Sequence, residues 1–470
     1  MSFRVDWTRP FRTSGRWWLP TTPENHIAGT LEFNPGEPIQ LTLADALDVA
    51  GEPVIYGETG DGSVTLFDPI LVRRTFNQAE HTFEASAFVL HHLIDKTYLT
   101  TIKKLRFCIW GVAENLREKP WAIDWKRVGE KDLLMLSLET ERHVFTIQLP
   151  TDQTKLELHL TTPLNTSNDT FSATPTTWIT VSPVAPQPLQ YYEQIWTQLE
   201  LFVSAMIGTR AVISAVEIGE DDDFATDGGP MVLVKQAARP PAVDPSRFGS
   251  LLYDARQSDS LAAIVQRWLE SFDRHRVPMS HLLHIWDASG PLLESRFLSA
   301  VQAIEAFHRR SPMKQTFVSE SEYQRIRSAM VQAFPLDTDK PLKTAMGKRL
   351  EFGNELSLRR RLKELVRHVG KDKFVAFAPS FIGVELDDWI KRVIDLRNEY
   401  VHAIQPAATS STKTVEMHGH MGLLAFFVHR LILTDVGVSE SSLDERLPMM
   451  PAYRDPVGEA VLRRLSKARR

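Results

Sequence analysis

Apolar and polar positions follow two different rhythms along this chain, and the change falls near residue 256. Up to about residue 185 the apolar residues alternate one by one or come in short runs. "GTLEFNPGEPIQLTLADAL", "PVIYGETGDGSVTLFDPILVRRTF", "DLLMLSLETERHVFTIQLP" and "KLELHLTT" are rich in β-formers, and "NPGEP" and "TGDG" between them have turn chemistry. "LTTPLNTSNDTFSATPTT" reads as a polar, Thr-rich loop. A helical period follows in "PLQYYEQIWTQLELFVSAMIG", and "RAVISAVEI" and "GPMVLVKQ" predict strands on either side of the acidic turn "GEDDDFATDGG". Beyond residue 256 the spacing lengthens to three and four. About six helices are predicted, in "LAAIVQRWLESFDRHR", "PLLESRFLSAVQAIEAFHRR", "SESEYQRIRSAMVQAF", "LRRRLKELVRHV", "LDDWIKRVIDLRNEYVHAI" and "HGHMGLLAFFVHRLILTDVG". Ser319 and Ser321 suit a helix start, Asp387 and Asp388 a first turn, and Gly437 a stop. The pattern predicts an α+β multidomain chain, with a β-rich, sandwich-like N-terminal region ahead of an all-α bundle. The expected divisions are 1–185, a mixed second β subregion 186–255, the helical domain 256–440 and a basic tail 441–470.

One helix breaks its own pattern. From Leu386 the apolar residues recur as Leu386, Trp389, Ile390, Val393, Ile394, Tyr400, Val401 and Ile404. At about 100° per residue, Arg397 falls near the middle of that stripe. An always-charged guanidinium there needs an anion or a hydrogen-bond partner. Two readings follow: a bridge to a core carboxylate such as Glu305, or a cation held for a ligand.

Composition narrows the setting. The net charge of −5 hides an asymmetry, since residues 251–470 carry 33 Lys+Arg against 27 Asp+Glu and residues 1–250 carry 21 against 32. A mildly basic helical half is compatible with a polyanion partner. A single cysteine, Cys108, excludes an internal disulfide, a cysteine zinc site and an iron–sulfur cluster, and it suits a reducing cytoplasm. No signal peptide and no membrane span is expected.

Arg397, Asn398 and His402 make the pattern R-N-x-x-x-H. RNA cleavage without a metal needs a base for the ribose 2′-hydroxyl and a cation for charge growing on phosphate oxygens. Histidine suits the first role and arginine the second. Asn398 lies four before His402 on one helix face, where it could orient the imidazole or a phosphate. Five positions turn a straight helix by about 140°. Arg397 and His402 of one copy therefore diverge, and a shared site needs a bent helix end or two chains meeting across a two-fold axis.

The basic run Arg359, Arg360, Arg361, Lys363 and Arg367 is a candidate phosphate track, with a solvated helix face as the plainer alternative. His281, His284 and Asp287 have helical spacing for a metal but lack a fourth ligand, so neither a metal nor another cofactor is expected. The glycines of "GETGDG" precede no helix and read as a hairpin turn.

"DLRNEYVH" inside a helical C-terminal bundle resembles the R-x4–6-H motif of HEPN domains, and "LLESRFLSAVQAIEAFHRR" is similar to the first long helix of ApeA-like HEPN domains. "GRWWLPTTPENHIAGTLEFNPGEPIQLTL", "IYGETGDGSVTLFDPIL" and "IKKLRFCIWGVAEN" resemble the ApeA N-terminal domain. The resemblance implies an anti-phage abortive-infection protein whose HEPN endoribonuclease cuts host RNA, with tRNA in the anticodon region as the leading target. It further implies a metal-independent homodimer or higher oligomer that leaves a cyclic phosphate and a 5′-hydroxyl. Arg397 and His402 would be the catalytic pair, with Asn398 supporting. Apart from the resemblance, Glu305, on the helix expected to pack beside the motif helix, could set the arginine's angle in either reading. A phage-encoded trigger is an expected partner, and a membrane is not. Ile404 stands where HEPN toxins paired with a nucleotidyltransferase antitoxin usually carry tyrosine, which speaks against that regulation. A catalytically silent HEPN module that binds RNA, nucleotide or protein remains the alternative.

Overall fold

The computed structural model describes residues 6–49, 51–75, 80–116, 121–128, 131–138, 141–162, 164–167, 170–173, 175–220, 224, 230–235, 250–258, 260–287, 292–335, 337–370, 385–401 and 411–453. The chain divides into two compact units. The first holds Met1–Glu270, Val436–Ser442 and Met449–Pro451, and the second holds Ser271–Asp435, Leu443–Pro448 and Ala452–Arg470.

The first unit is built on β1 (Phe11–Trp18), β2 (Ile27–Phe33), β3 (Ile39–Leu43), β4 (Val54–Thr59), β5 (Gly62–Phe67), β6 (Ile70–Thr75), β7 (Glu80–Ala85) and β8 (Ala87–Leu90). It continues with β9 (Lys104–Ile109), the hairpin β10 (Trp121–Val128) and β11 (Lys131–Leu138), then β12 (Glu141–Gln148) and β13 (Lys155–Thr161). Another hairpin, β14 (Leu164–Ser167) and β15 (Thr170–Ala173), precedes β16 (Thr176–Ser182), β17 (Ile213–Gly219) and β18 (Met231–Lys235). Among the described residues, fourteen of these strands join one sheet in the order β12-β13-β16-β9-β17-β18-β8-β5-β4-β1-β2-β3-β7-β6. Alternation sets which side chains go inward: Ile39, Leu41 and Leu43 of "IQLTL" are fully buried while Gln40 and Thr42 are half-buried. "TGDG" closes β4 on β5 with Thr59 opposite Gly62, whose φ of +113° favours glycine. Gly57 has a different reason, because a Cβ there would collide with the buried indole of Trp17. The Thr-rich stretch expected as loop contains the ladder β14–β15. Such a short antiparallel pair rests on backbone hydrogen bonds and leaves no apolar period to read.

Helices α1 (Val112–Leu116), α2 (Leu189–Ile207), α3 (Leu251–Gln257) and α4 (Leu261–Glu270) pack in the same unit. Their apolar faces meet β12, β13 and β16 around a cavity lined by Leu116, Phe145, Leu158, Phe202, Leu252 and Val265, among others.

The second unit is helical, with α5 (Phe272–Trp286), α6 (Leu293–Arg310), α7 (Glu320–Gln332), α8 (Lys340–Glu351), α9 (Leu358–Val369), α10 (Leu386–Val401), α11 (Ser411–Asp435) and α12 (Glu440–Arg446), the last shared between units. Caps follow the sequence. Ser319 accepts from the Glu322 N–H at the start of α7, and Ser357 accepts from the Arg360 N–H at the start of α9. The chain leaves α11 at Asp435 and Gly437 takes φ +85°. Helix α6, with Phe297, Ala300, Val301, Ile304 and Phe307 buried, is the centre against which α5 and α11 lie. No helix among the described residues is long and apolar enough to cross a membrane.

Candidate active site

Helix α10 presents Trp389, Ile390, Val393 and Leu396 to the core, each 2% exposed or less. Leu396 is a core position outside the predicted stripe, while Leu386, Ile394 and Tyr400 are half-buried and Val401 is 47% exposed. The stripe thus runs along one edge of its expected line, and Arg397 lies beside it, half-buried. Its Nη1 donates to Asn398 Oδ1 at 3.1 Å, and among the described residues the guanidinium makes no salt bridge. Glu305, the proposed counter-ion, is half-buried on α6 and lies instead in the field of Arg361. His402 lies outside the described residues.

Two ion pairs tie α10 to α11. Arg392 donates through Nε and Nη2 to the two carboxylate oxygens of Glu416, each at 2.7 Å, and His420 Nε2 lies 3.6 Å from Glu416. Lys413 donates to Glu399 at 2.8 Å, two residues from Arg397. The chemistry of a forked arginine on a carboxylate fixes both angle and distance. Neither Arg392 nor Glu416 was singled out from the sequence. Glu416 is the one carboxylate of α11 ahead of Asp435, and that was the available signal.

The Arg392 hydrogen bonds hold the Glu416 carboxyl down at about 2, from an ordinary 4.5. A depressed carboxylate contributes stability above its unfolded value and loses it as pH falls through the folded one. Acidification from about 4.5 to about 2 is therefore expected to loosen the α10–α11 pairing. The ceiling is about 3 kcal/mol, reduced to about 1–2 kcal/mol by solvent at Arg392, which is 41% exposed. Amide exchange in residues 386–401 should rise over that window in the wild type and be flat in Glu416→Gln; the same slope in both would refute the assignment.

The Tyr400 hydroxyl is buried and makes no hydrogen bond among the described residues. Its burial, with Glu399 and Glu294 nearby, raises its pKa, so it stays a neutral donor one helical turn beyond Arg397.

The basic helix α9 separates its five cations. Arg361 is 1% exposed: Nε donates to the Leu356 carbonyl at 2.9 Å, and Nη1 to His308 Nδ1 and Gln315 Oε1, each at 3.0 Å. A side chain enclosed in that way is absent from the phosphate-facing surface, because Leu362, Leu365 and Val366 beside it turn the same face into the core. Arg360 is exposed but donates to Glu364 at 2.9 Å. Arg359 and Arg367 are exposed, and Lys363 reaches Asp387 of α10 at 2.7 Å. His281 and His284 share α5, where His284 Nε2 meets Ser295 Oγ at 3.4 Å. Among the described residues no group of three or more His, Cys, Asp or Glu is placed to hold a metal. Arg397, Asn398 and Tyr400 are thus brought together near the end of α10, and α9 lies alongside that helix with Lys363 meeting its first turn at the other end.

A strand-rich N-terminal region followed by a helical HEPN domain defines the class. Residues 12–234 match the family model of ApeA N-terminal domain 1, and residues 298–442 match that of the Apea-like HEPN. The chain belongs to the ApeA type, which points to a defence or abortive-infection role of nuclease-like character. No curated protein and no solved structure matches it.

Proposed function

We propose that this chain is an anti-phage abortive-infection endoribonuclease that cuts host RNA, with tRNA near the anticodon as the substrate. One observation carries the reading: among the described residues Arg397, half-buried near the end of α10, has a neutral amide and no carboxylate as its partner. A cation left without a counter-ion beside a core stripe is suited to a phosphate.

In this reading neutral His402 takes the proton from a ribose 2′-hydroxyl. The oxygen attacks the adjacent phosphorus, the bond to the 5′-oxygen breaks, and that oxygen leaves with a proton. A 2′,3′-cyclic phosphate and a 5′-hydroxyl remain. Arg397 meets the charge that builds on the non-bridging oxygens, and Asn398, hydrogen-bonded to it, fixes its direction. No metal takes part. The divergence expected of Arg397 and His402 along a straight helix is answered by a homodimer, or a higher oligomer, that pairs groups from two chains. Cytoplasmic RNA is the target, Arg359, Lys363 and Arg367 bind its backbone, and the β-rich unit restrains the nuclease until a phage-encoded trigger acts.

Purified protein incubated with total tRNA in EDTA should yield products with cyclic phosphate ends, and His402→Ala should yield none. Equal cleavage by both proteins, or activity lost to EDTA, overturns the proposal. Tight, salt-sensitive binding without any product would favour a silent RNA-binding module.

A further inference from the structure

Arg359, Lys363 and Arg367 stand at i, i+4 and i+8 on α9, one above another on a single face about 12 Å long. Like charges at that spacing oppose each other. The neighbours do not relieve them: Arg360 is taken by Glu364, and Arg361 points into the core. Among the described residues, all three cations act on the carboxylate of Asp387, in the first turn of α10. Its side chain bonds Lys363 at 2.7 Å yet stays 64% exposed. Lys363, Arg359 and Arg367 together hold its carboxyl below the usual range. Arg359 and Arg367 are exposed and form no ion pair among the described residues. The step of about 6 Å between successive cations is close to the separation of neighbouring phosphates along a strand.

We propose that Asp387 is an internal stand-in for a phosphate: it occupies Lys363 in the free protein, and the backbone of an RNA strand lying along Arg359 and Arg367 displaces it. The carboxylate weakens binding of RNA that engages only this face, so that stable capture needs contacts elsewhere on the substrate. Because Asp387 belongs to α10, the exchange of partners takes place on the helix that carries Arg397. The choice of RNA as the polyanion rests on the ribonuclease reading above.

Binding is measured with a short, single-stranded RNA whose riboses are 2′-O-methylated. It cannot be cut by transesterification, so the result stands whether or not the chain is a nuclease. Asp387→Asn should bind about fivefold more tightly near 0.1 M salt, with the slope of log affinity against log salt steeper by about 0.7, because no displaced carboxylate then takes up a salt cation. The double variant Arg359→Ala, Arg367→Ala should flatten the slope by about 1.4. Loss of the first-turn carboxylate slightly destabilises a helix, so structural damage would move affinity the other way. Asp387→Ser, which keeps a short polar side chain there, should repeat the gain. Unchanged or weaker binding by both Asp387 variants overturns the proposal. So does an unchanged slope in the double variant, or a response confined to poly-glutamate used as a protein-like polyanion.

Discussion

Arg397→Ala is expected to slow RNA cleavage by about 10²–10³-fold, the usual cost of removing one preorganised donor from a developing oxyanion, while stability changes by no more than about 1 kcal/mol. The two halves of that expectation come from the same geometry. The guanidinium is half-buried, its partner is the neutral Asn398 amide, and no carboxylate among the described residues loses a counter-ion when it goes. An arginine bridged to a core carboxylate would behave in the opposite way, costing about 3–5 kcal/mol with RNA handling unchanged. Arg397→Lys separates charge from shape. A lysine keeps the cation but not the planar fork, so activity between alanine and wild type is expected. Initial rates on tRNA beside denaturant titrations of the same preparations make the comparison. A large loss of stability with an unaltered rate would remove Arg397 from the chemistry.

The contrast with Arg361 explains what the sequence disclosed and what it did not. Both arginines interrupt apolar periods, and the question raised by Arg397 applies with more force to Arg361. Arg361, Leu362, Leu365 and Val366 form one buried face, so the cation in a leucine's place is Arg361. Three consecutive arginines look alike in a string, but at about 100° per residue they cannot share a surface. Their order along α9 assigns one to solvent beside Asp387, one to Glu364 and one to the core. The strands of "IQLTL" and the hairpin at "TGDG" were legible because alternation and a positive φ at Gly62 are local demands. Helix α8 was not singled out: Leu342, Ala345, Met346 and Leu350 recur at helical spacing, but Pro341 and Gly347 punctuate so short a stretch and none of its residues is buried. The Arg392–Glu416 fork joins residues 24 apart, and no local spacing announces such a pair.

Arg361→Ala is expected to destabilise the helical unit by about 3–5 kcal/mol, as for other buried charge networks that lose one member. The guanidinium holds three segments at once: the end of α6 through His308, the following turn through Gln315, and the start of α9 through the Leu356 carbonyl. Alanine leaves all three acceptors without that donor, and Gln315 also ties the His308 carbonyl at 2.7 Å. Arg361→Met, which fills the space but donates nothing, should recover part of the loss through packing. The same network fixes a pH response. Because Arg361 donates to His308 Nδ1, that nitrogen carries no proton, and Nε2 donates to Glu364 at 3.2 Å. Burial, the largest cause, pulls the His308 pKa below its ordinary 6.5. The unfolded chain therefore binds a proton that the fold resists, and stability is full above about 6.5 and falls as pH drops beneath it. Glu364, held below 4.5 although its partial burial opposes this, adds a further loss at lower pH through its bonds to His308 and Arg360. Since a chain of two units need not unfold in one transition, the readout is amide exchange in residues 293–310 and 358–369. Protection there should fall between pH 7 and 5.5 in the wild type and less steeply in His308→Gln. Wild-type protection that is flat across that range, or an Arg361→Ala protein as protected as the parent, would show that the network contributes nothing to holding α6 and α9 together.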